Sequence, residues 1–288
     1  MPVSPTPRIV VFGATGKVGR QLVGRLFKMG RETLSIGRHA ETLAQLPGEV
    51  LTLDLANVDV QNTPLCPGDV IVNAAHARHT ANIVKLCPPG IERLVVLGST
   101  RYLSRFHDHA GDEVREAIKL LEETELPWVL LHPTMIYGAQ GENNVRRIEN
   151  LIRRFHVIPL PDGGRSLIQP IHVEDVVEAV VRAIDTAGIT KCSIHIAGPT
   201  PVTYADFIRT IADAIQCRVW VIPVPYRLMT VMAWLTSIVP GVPTIKKAEV
   251  LRLLEDKAVD VHEMQDVLKF SSRPLRTGLV EALKTTPR

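Results

Sequence analysis

The chain has 288 residues, 45% of them hydrophobic and 22% charged, as expected of a folded protein with one large α/β domain or that domain plus a smaller one. A net charge of +3 is too small to indicate nucleic acid as a partner. The four cysteines form no Cys-x-x-Cys pair, which predicts reduced thiols, a cytoplasmic location and no metal site. Met1–Pro7 has three prolines and no apolar run, unlike a signal peptide.

The first predicted element is a short apolar strand, residues 9–12, and apolar residues recur at helical spacing from Val18 onwards. Between strand and helix the glycines follow Gly-x-x-Gly-x-x-Gly rather than the common Gly-x-Gly-x-x-Gly fingerprint. Glycines at such a turn allow a pyrophosphate to approach the backbone, and the helix N-terminus attracts its charge. The residues predicted to hold a dinucleotide here are Gly13, Thr15, Gly16, Lys17, Val18 and Gly19.

The second predicted strand, Thr33–Gly37, bears on the choice of cofactor. An acidic residue about 20 positions beyond the glycines would bind the ribose 2′-hydroxyl of NAD. No acid lies between Thr33 and Ala40, and Arg38 stands at the strand end instead. A guanidinium suits a 2′-phosphate through charge-assisted hydrogen bonds. The sequence therefore favours NADP(H) over NAD(H), the alternative being a solvated Arg38 on a loop.

Strand and helix patterns continue to alternate, which predicts an α/β fold with a parallel sheet and helices on both faces. Further strands are predicted over residues 49–55, 69–76, 93–100 and 128–134, and helices over 80–86, 111–123 and 145–155. In an open α/β sheet, ligands gather outside the carboxyl ends of the strands. Ser99 and Thr100, at the end of the fifth strand, are thus placed to contact a ligand.

A strongly apolar segment, Val219–Val242, raises the alternative of a membrane span. It holds three prolines, and Arg227 lies near its middle, where a charge is costly in a bilayer. The pattern predicts a strand, a proline turn and a helix over Tyr226–Ile238 that covers a cleft.

Seven segments of the chain match a known family in the family's own order, between Arg8 and Gln216. They are Gly13–Gly19, Asp54-Leu55, Asn73-Ala74-Ala75, Gly98-Ser99-Thr100, Pro133 with Ile136-Tyr137-Gly138, Gln169–Val176 and Ile196–Pro199. With them the chain resembles the extended and atypical branches of the short-chain dehydrogenase/reductase superfamily, the NAD-dependent epimerase/dehydratase-like proteins.

The resemblance implies a Rossmann-type, doubly wound domain over residues 1–198 and a smaller, mainly helical substrate domain over 199–288, with 139–170 contributing to the substrate cleft. It also implies a homodimer through the helices that follow strands four and five. The cofactor-binding residues that it adds are Asp54, Leu55, Asn73, Ala74, Ala75 and Pro133.

The chain departs from this family in its acid/base residues. The family uses a Tyr with a Lys four residues later, and none of the four tyrosines has that lysine. The matching positions fall near Asp108 and Asp112. Loss of a positioned acid/base typically costs 10²–10⁴-fold in rate. The residues predicted to act instead are Thr100, Ser99, Tyr102 and His107.

Three functions follow. The first is an NADP(H)-dependent oxidoreductase or isomerase of a small carbonyl or sugar-like substrate, with a non-standard acid/base. The second is a non-catalytic NADP(H)-binding redox sensor or assembly factor, since NmrA-like sensors and the Rossmann-type accessory subunit of respiratory complex I resemble this chain in lacking the dyad. The third is a scaffold that has lost the cofactor. The intact glycines of the turn after the first strand argue against this third function.

Overall fold

A computed structural model describes residues 6–139, 144–229 and 251–284. The strands are β1 (Ile9–Phe12), β2 (Thr33–Gly37), β3 (Glu49–Thr52), β4 (Val70–Asn73), β5 (Arg93–Leu97), β6 (Trp128–Pro133), β7 (Ile136–Tyr137), β8 (Val157–Pro161), β9 (Leu167–Ile168), β10 (Ile171–His172), β11 (Cys192–Ile196), β12 (Val202–Thr203) and β13 (Trp220–Val224). The helices are α1 (Lys17–Lys28), α2 (Ala40–Leu43), α3 (Thr80–Leu86), α4 (His109–Glu123), α5 (Asn144–Phe155), α6 (Val173–Asp185), α7 (Tyr204–Ala214), α8 (His262–Val267) and α9 (Leu275–Lys284).

Seven parallel strands form the central sheet, in the order β11-β6-β5-β4-β1-β2-β3. Strands β1, β4 and β5 are buried along their whole length, as apolar runs in a parallel sheet should be. The chain leaves the sheet at β3 and re-enters at β4, beside β1, so the carboxyl ends of β1 and β4 form a switch point where ligands bind in such sheets. The predicted doubly wound α/β fold is confirmed.

Several boundaries differ from the sequence prediction, among them the ends of β4 at Asn73 and of β5 at Leu97, and two of the differences have clear local reasons. Strand β3 ends at Thr52 rather than Leu55, because the Asp54 carboxylate accepts a hydrogen bond from the Ala56 N–H at 3.0 Å and begins a turn. Helix α4 begins at His109 rather than Gly111, because the Asp108 carboxylate caps it by accepting the Gly111 N–H at 2.9 Å.

A second layer surrounds a separate hydrophobic core that includes Ile152, Phe207 and Leu279. Its strands pair as β7 with β10, β9 with β12, and β8 with β13. Met264 and Leu268, by contrast, pack into the core of the central sheet. Packing thus crosses the predicted boundary at residue 198 in both directions, and that boundary stays a prediction.

The apolar segment after residue 219 is described only in its first part. Strand β13 is present as predicted, whereas most of the helix predicted over Tyr226–Ile238 lies outside the described residues. None of the described helices combines the length and apolar character needed to cross a bilayer.

Candidate dinucleotide site

The glycine turn between β1 and α1 is packed too closely for side chains. Gly13 has φ +74°, and a Cβ there would lie 2.5 Å from the Ala75 nitrogen. A Cβ on Gly19 would lie 2.2 Å from the Gly13 carbonyl oxygen. Gly16 precedes α1, no described side chain caps that helix, and its first turn holds no acid. The N–H groups in the first turn of α1 are therefore left to a ligand, and the turn fits a dinucleotide pyrophosphate.

A cleft of about 280 Å³ opens directly over this turn. Its lining comes from the turn between β1 and α1, from the end of β2 and Arg38 after it, and from the segments after β3 and β4: Gly13, Thr15, Gly16, Ile36, Gly37, Arg38, Leu53, Leu55, Ala74, Ala75, His76, Arg78 and His79. None of the described residues that line it is acidic, while Arg38, His76, Arg78 and His79 are basic. A cleft with this electrostatic character suits a polyanion.

The other predicted cofactor residues lie around the cleft rather than in its lining. Asn73 is buried, accepts the Ala75 N–H at 3.0 Å and donates to Thr80 Oγ1 at 3.2 Å, which fixes the turn over the glycines. Lys17 and Val18 open α1. Asp54 is engaged in its own turn, and Pro133 lies at the end of β6.

The basic side of the cleft is held together by hydrogen bonds within the segment after β4. Arg78 Nε donates to His79 Nε2 over 3.3 Å. Burial lowers the pKa of His79, and the charges of Arg78, His76 and Arg38 lower it further. An anionic ligand in the cleft would offset those charges and favour protonation of His79.

A buried carboxylate behind the cleft escaped the sequence analysis. Glu113 of α4 is buried, and its oxygens lie 2.7 Å from His76 Nδ1 and 2.9 Å from His109 Nδ1. Arg78 approaches it to 4.0 Å. The i,i+4 spacing of His109 and Glu113 could have indicated one of these pairs. The pairing with His76 depends on the fold and has no local signal.

None of the four predicted catalytic residues lines the cleft. Ser99 caps a 3₁₀ turn, Thr100–Leu103, by accepting the Arg101 N–H at 3.2 Å. Thr100 Oγ1 donates to the Pro133 carbonyl at 3.4 Å. His107 is exposed, 3.4 Å from an oxygen of Asp112. Ser99 and Thr100 do lie at the carboxyl end of β5, as predicted.

Tyr102 is part of an aromatic cluster with two histidines. Its hydroxyl lies 2.9 Å from His195 Nε2, and its ring centre is 4.6 Å from that of buried His132. Burial, helped by Glu263, raises the pKa of Tyr102. Burial also lowers the pKa of His195, and with His195 nearby it lowers the pKa of His132 to about 4. The pKa values of both histidines thus lie below, and that of the phenol above, their ordinary values.

The two positions that match the family dyad carry structural carboxylates. Asp108 caps α4 and lies 2.7 Å from Arg252. Burial alone would raise the pKa of Asp108, but the Gly111 N–H and the two arginines, Arg101 and Arg252, outweigh it and hold the pKa below its ordinary value. Asp112 pairs with Arg115 at 2.6 Å. Both are occupied as hydrogen-bond acceptors.

Acid should destabilise the fold through His132. The pKa of His132 in the folded protein, about 4, lies below the ordinary histidine value of 6.5. Between these two pH values His132 is protonated in the unfolded chain and neutral in the folded chain. Stability is thus lost as the pH falls from 6.5 towards 4. Between pH 7 and pH 5 the protonation of His132 alone should lower the free energy of unfolding by roughly 2 kcal/mol.

Urea unfolding of the parent and of His132→Leu at both pH values measures this loss of stability. An equal pH effect in both proteins would contradict the assignment, and His107→Leu, an exposed site, serves as control.

Comparison with known proteins agrees with this geometry. A family model described as NAD(P)H-binding matches residues 13–187. An uncharacterized protein of Mycobacterium tuberculosis is 26% identical over 209 residues, which cover 68% of this chain and 22% of the relative. The chain thus spans about a fifth of that relative's length. The mitochondrial NADH dehydrogenase [ubiquinone] 1 alpha subcomplex subunit 9 of Arabidopsis thaliana is 23% identical over 257 residues, 77% of this chain and 61% of the relative.

Solved structures share the fold over nearly the whole chain. The UDP-glucuronic acid 4-epimerase of Bacillus cereus, in complex with UDP-glucuronic acid and NAD, superposes with a TM-score of 0.70 at 14% identity and covers 96% of this chain and 98% of its own. The glycine turn, the switch-point cleft and the family match over residues 13–187 agree. The chain belongs to the NAD(P)H-binding family, with structural neighbours in the epimerase/dehydratase branch of the extended short-chain dehydrogenase/reductase superfamily.

Proposed function

We propose that the protein binds NADP(H) and uses it as an oxidoreductase or isomerase of a small carbonyl or sugar-like substrate. The observation that carries the proposal is the charge of the cleft, which both Arg38 and Arg78 line and which has no acidic residue among its described lining residues. NADP(H) has one phosphate more than NAD(H), and the position of Arg38 at the end of β2 supports a contact between its guanidinium and the 2′-phosphate.

Each part of the site has a task in this proposal. The N-terminus of α1 holds the pyrophosphate, and Leu53 and Leu55 offer an apolar wall for the adenine. The nicotinamide, once bound, supplies or accepts a hydride. Thr100, anchored near Pro133, offers a hydroxyl to a substrate oxygen at the carboxyl end of β5. The acid/base differs from the Tyr and Lys of the family, because Asp108 and Asp112 take their places.

A second candidate, a non-catalytic NADP(H)-binding sensor or assembly factor, is favoured by a specific observation. The Tyr102 hydroxyl is hydrogen-bonded to His195, the Asp108 carboxylate is paired with Arg252, and neither residue lines the cleft. The Arabidopsis relative carries the name of a respiratory complex subunit. On this reading the occupied cleft would alter affinity for a partner protein. A homodimer through α3 and α4 stays part of both candidates.

Calorimetric titration with NADPH and NADH, followed by a screen of small carbonyl substrates, tests the proposal. We expect NADPH to bind more tightly than NADH, and turnover on a carbonyl to fall about 10²-fold in Thr100→Ala while NADPH affinity is unchanged. Binding without turnover on any substrate would favour the sensor. Failure to bind either dinucleotide would contradict both candidates.

A further inference from the structure

The second layer carries an exposed apolar face, whose residues are distant in sequence from those that line the cleft. The arginine–tryptophan face consists of Arg153, Arg154, Phe155, Val157, Arg218, Trp220 and Ile222. It is the outer side of the β8–β13 pair together with the end of α5. The alternate residues of β8, Ile158 and Leu160, point inwards and are buried. One side of this small sheet therefore builds the core, and the other side is left to solvent.

Contacts along the face make it continuous. Trp220 lies opposite Val157 in the parallel register, and the Trp220 N–H donates to the His156 carbonyl at 2.8 Å. The Arg154 guanidinium carbon lies 5.1 Å from the centre of the Phe155 ring. Arg153 reaches Cys217 Sγ at 4.0 Å. The end of α5 and the start of β13 thus form one surface.

The exposure of this surface is unusual for side chains of this size. Trp220 is 73% exposed, Phe155 52% and Ile222 45%. Adjacent large apolar groups left in water mark an interaction site rather than ordinary surface. An indole combines an apolar body with a polar N–H, the character that places tryptophan at the boundary between lipid and water.

The charge of the face selects the occupant. Residues 150–161 and 217–229 include Arg153, Arg154 and Arg218 and contain no Asp or Glu. Arg153 pairs with Glu149 at 3.0 Å, whereas no carboxylate of the described residues pairs with Arg154 or Arg218. A surface that offers exposed aromatic groups beside cations matches a headgroup layer that carries negative charge.

Prolines in both strands argue against a protein partner that adds a strand here. Pro159 and Pro161 lie in β8 and Pro223 in β13, and proline has no N–H to donate to a new strand. We propose that the arginine–tryptophan face docks the protein on an anionic lipid bilayer, with the indole and phenyl rings in the headgroup layer and the arginines on lipid phosphates. This peripheral contact is independent of the NADP(H) proposal.

Vesicle flotation of the full chain tests the docking. The probes are vesicles of phosphatidylcholine alone and of equal parts phosphatidylcholine and phosphatidylglycerol. We expect binding to the anionic vesicles only, weakened by salt. In Trp220→Ser, and separately in Arg154→Glu/Arg218→Glu, the partition coefficient should fall about tenfold or more. The matched controls are Val60→Ser and Lys119→Glu, exposed apolar and basic positions on the other layer.

Circular dichroism of each variant reports whether the fold is intact, so a loss of vesicle binding in a folded variant supports the face. Equal binding of the parent and the two face variants would overturn the proposal, and so would equal binding to neutral vesicles. If Trp220→Ser abolishes self-association while the parent ignores vesicles, the face serves a second copy of the chain and the lipid assignment is wrong.

Discussion

Replacing Gly19 with alanine should lower both the free energy of unfolding of the protein and its affinity for a dinucleotide. The new Cβ would sit 2.2 Å from the Gly13 carbonyl oxygen and 3.0 Å from the Ala14 Cα, and backbone atoms cannot swing aside as a flexible side chain does. The helix must move off the strand, at a cost of about 2–3 kcal/mol. Urea unfolding measures the destabilisation, and NADPH calorimetry measures the loss of affinity in the folded fraction.

Gly24 provides the matched control within the same helix. Apart from the adjacent residues and the backbone of its own helix, no heavy atom lies within 4 Å of a Cβ placed there, so Gly24→Ala removes backbone freedom from the unfolded chain without a clash. It should stabilise the protein by roughly 0.5–1 kcal/mol and leave NADPH affinity unchanged. Two identical substitutions five positions apart are thus expected to act in opposite directions. If both destabilise the fold alike, close packing at Gly19 is not the cause.

If Arg38 binds the 2′-phosphate as proposed, replacing Arg38 with alanine should remove the difference between the affinities for NADPH and NADH. Hydrogen bonds to a charged group contribute about 1.5–3 kcal/mol, so NADPH affinity should fall about 10- to 100-fold. NADH has no 2′-phosphate and should lose little. Calorimetric titration of the parent and the variant with both dinucleotides, at fixed ionic strength, gives the two ratios.

Arg20 is the control for a general effect of charge. It lies on α1, outside the cleft lining, with NH1 3.4 Å from the Gln45 side-chain oxygen. Arg20→Ala should leave the ratio of NADPH to NADH affinity as in the parent. Equal losses for both dinucleotides in Arg38→Ala would mean that Arg38 does not read the 2′-phosphate.

The sequence predicted those parts of the site that depend on a pattern of neighbouring residues. The glycine turn, Arg38 at a strand end and the helix Thr80–Leu86 each depend on residues close in the chain, and the structure has them at those places. A local signal also existed for the start of α4, where Asp108 caps the helix, although the sequence analysis predicts the start at Gly111. Periodicity and turn chemistry carry such information.

The clusters that the sequence could not predict join distant segments. His195 meets Tyr102 across 93 positions, and His76 meets Glu113 only because the segment after β4 lies against α4. No spacing rule links such residues, since their contact depends on strand order. Asp108 lies near a dyad position of the family, and its pairing with Arg252 has no local signal because it depends on the fold.

Residues on both sides of residue 198 pack into the same hydrophobic cores, which bears on how cooperatively the protein unfolds. Met264 and Leu268 complete the core beneath the nucleotide-binding sheet, while β8, far earlier in the chain, builds the other layer with β13. A fragment that stopped near residue 198 would leave the core of the central sheet without Met264 and Leu268 and the second layer without two of its six strands, β12 and β13. We therefore expect the two layers to unfold in one cooperative transition.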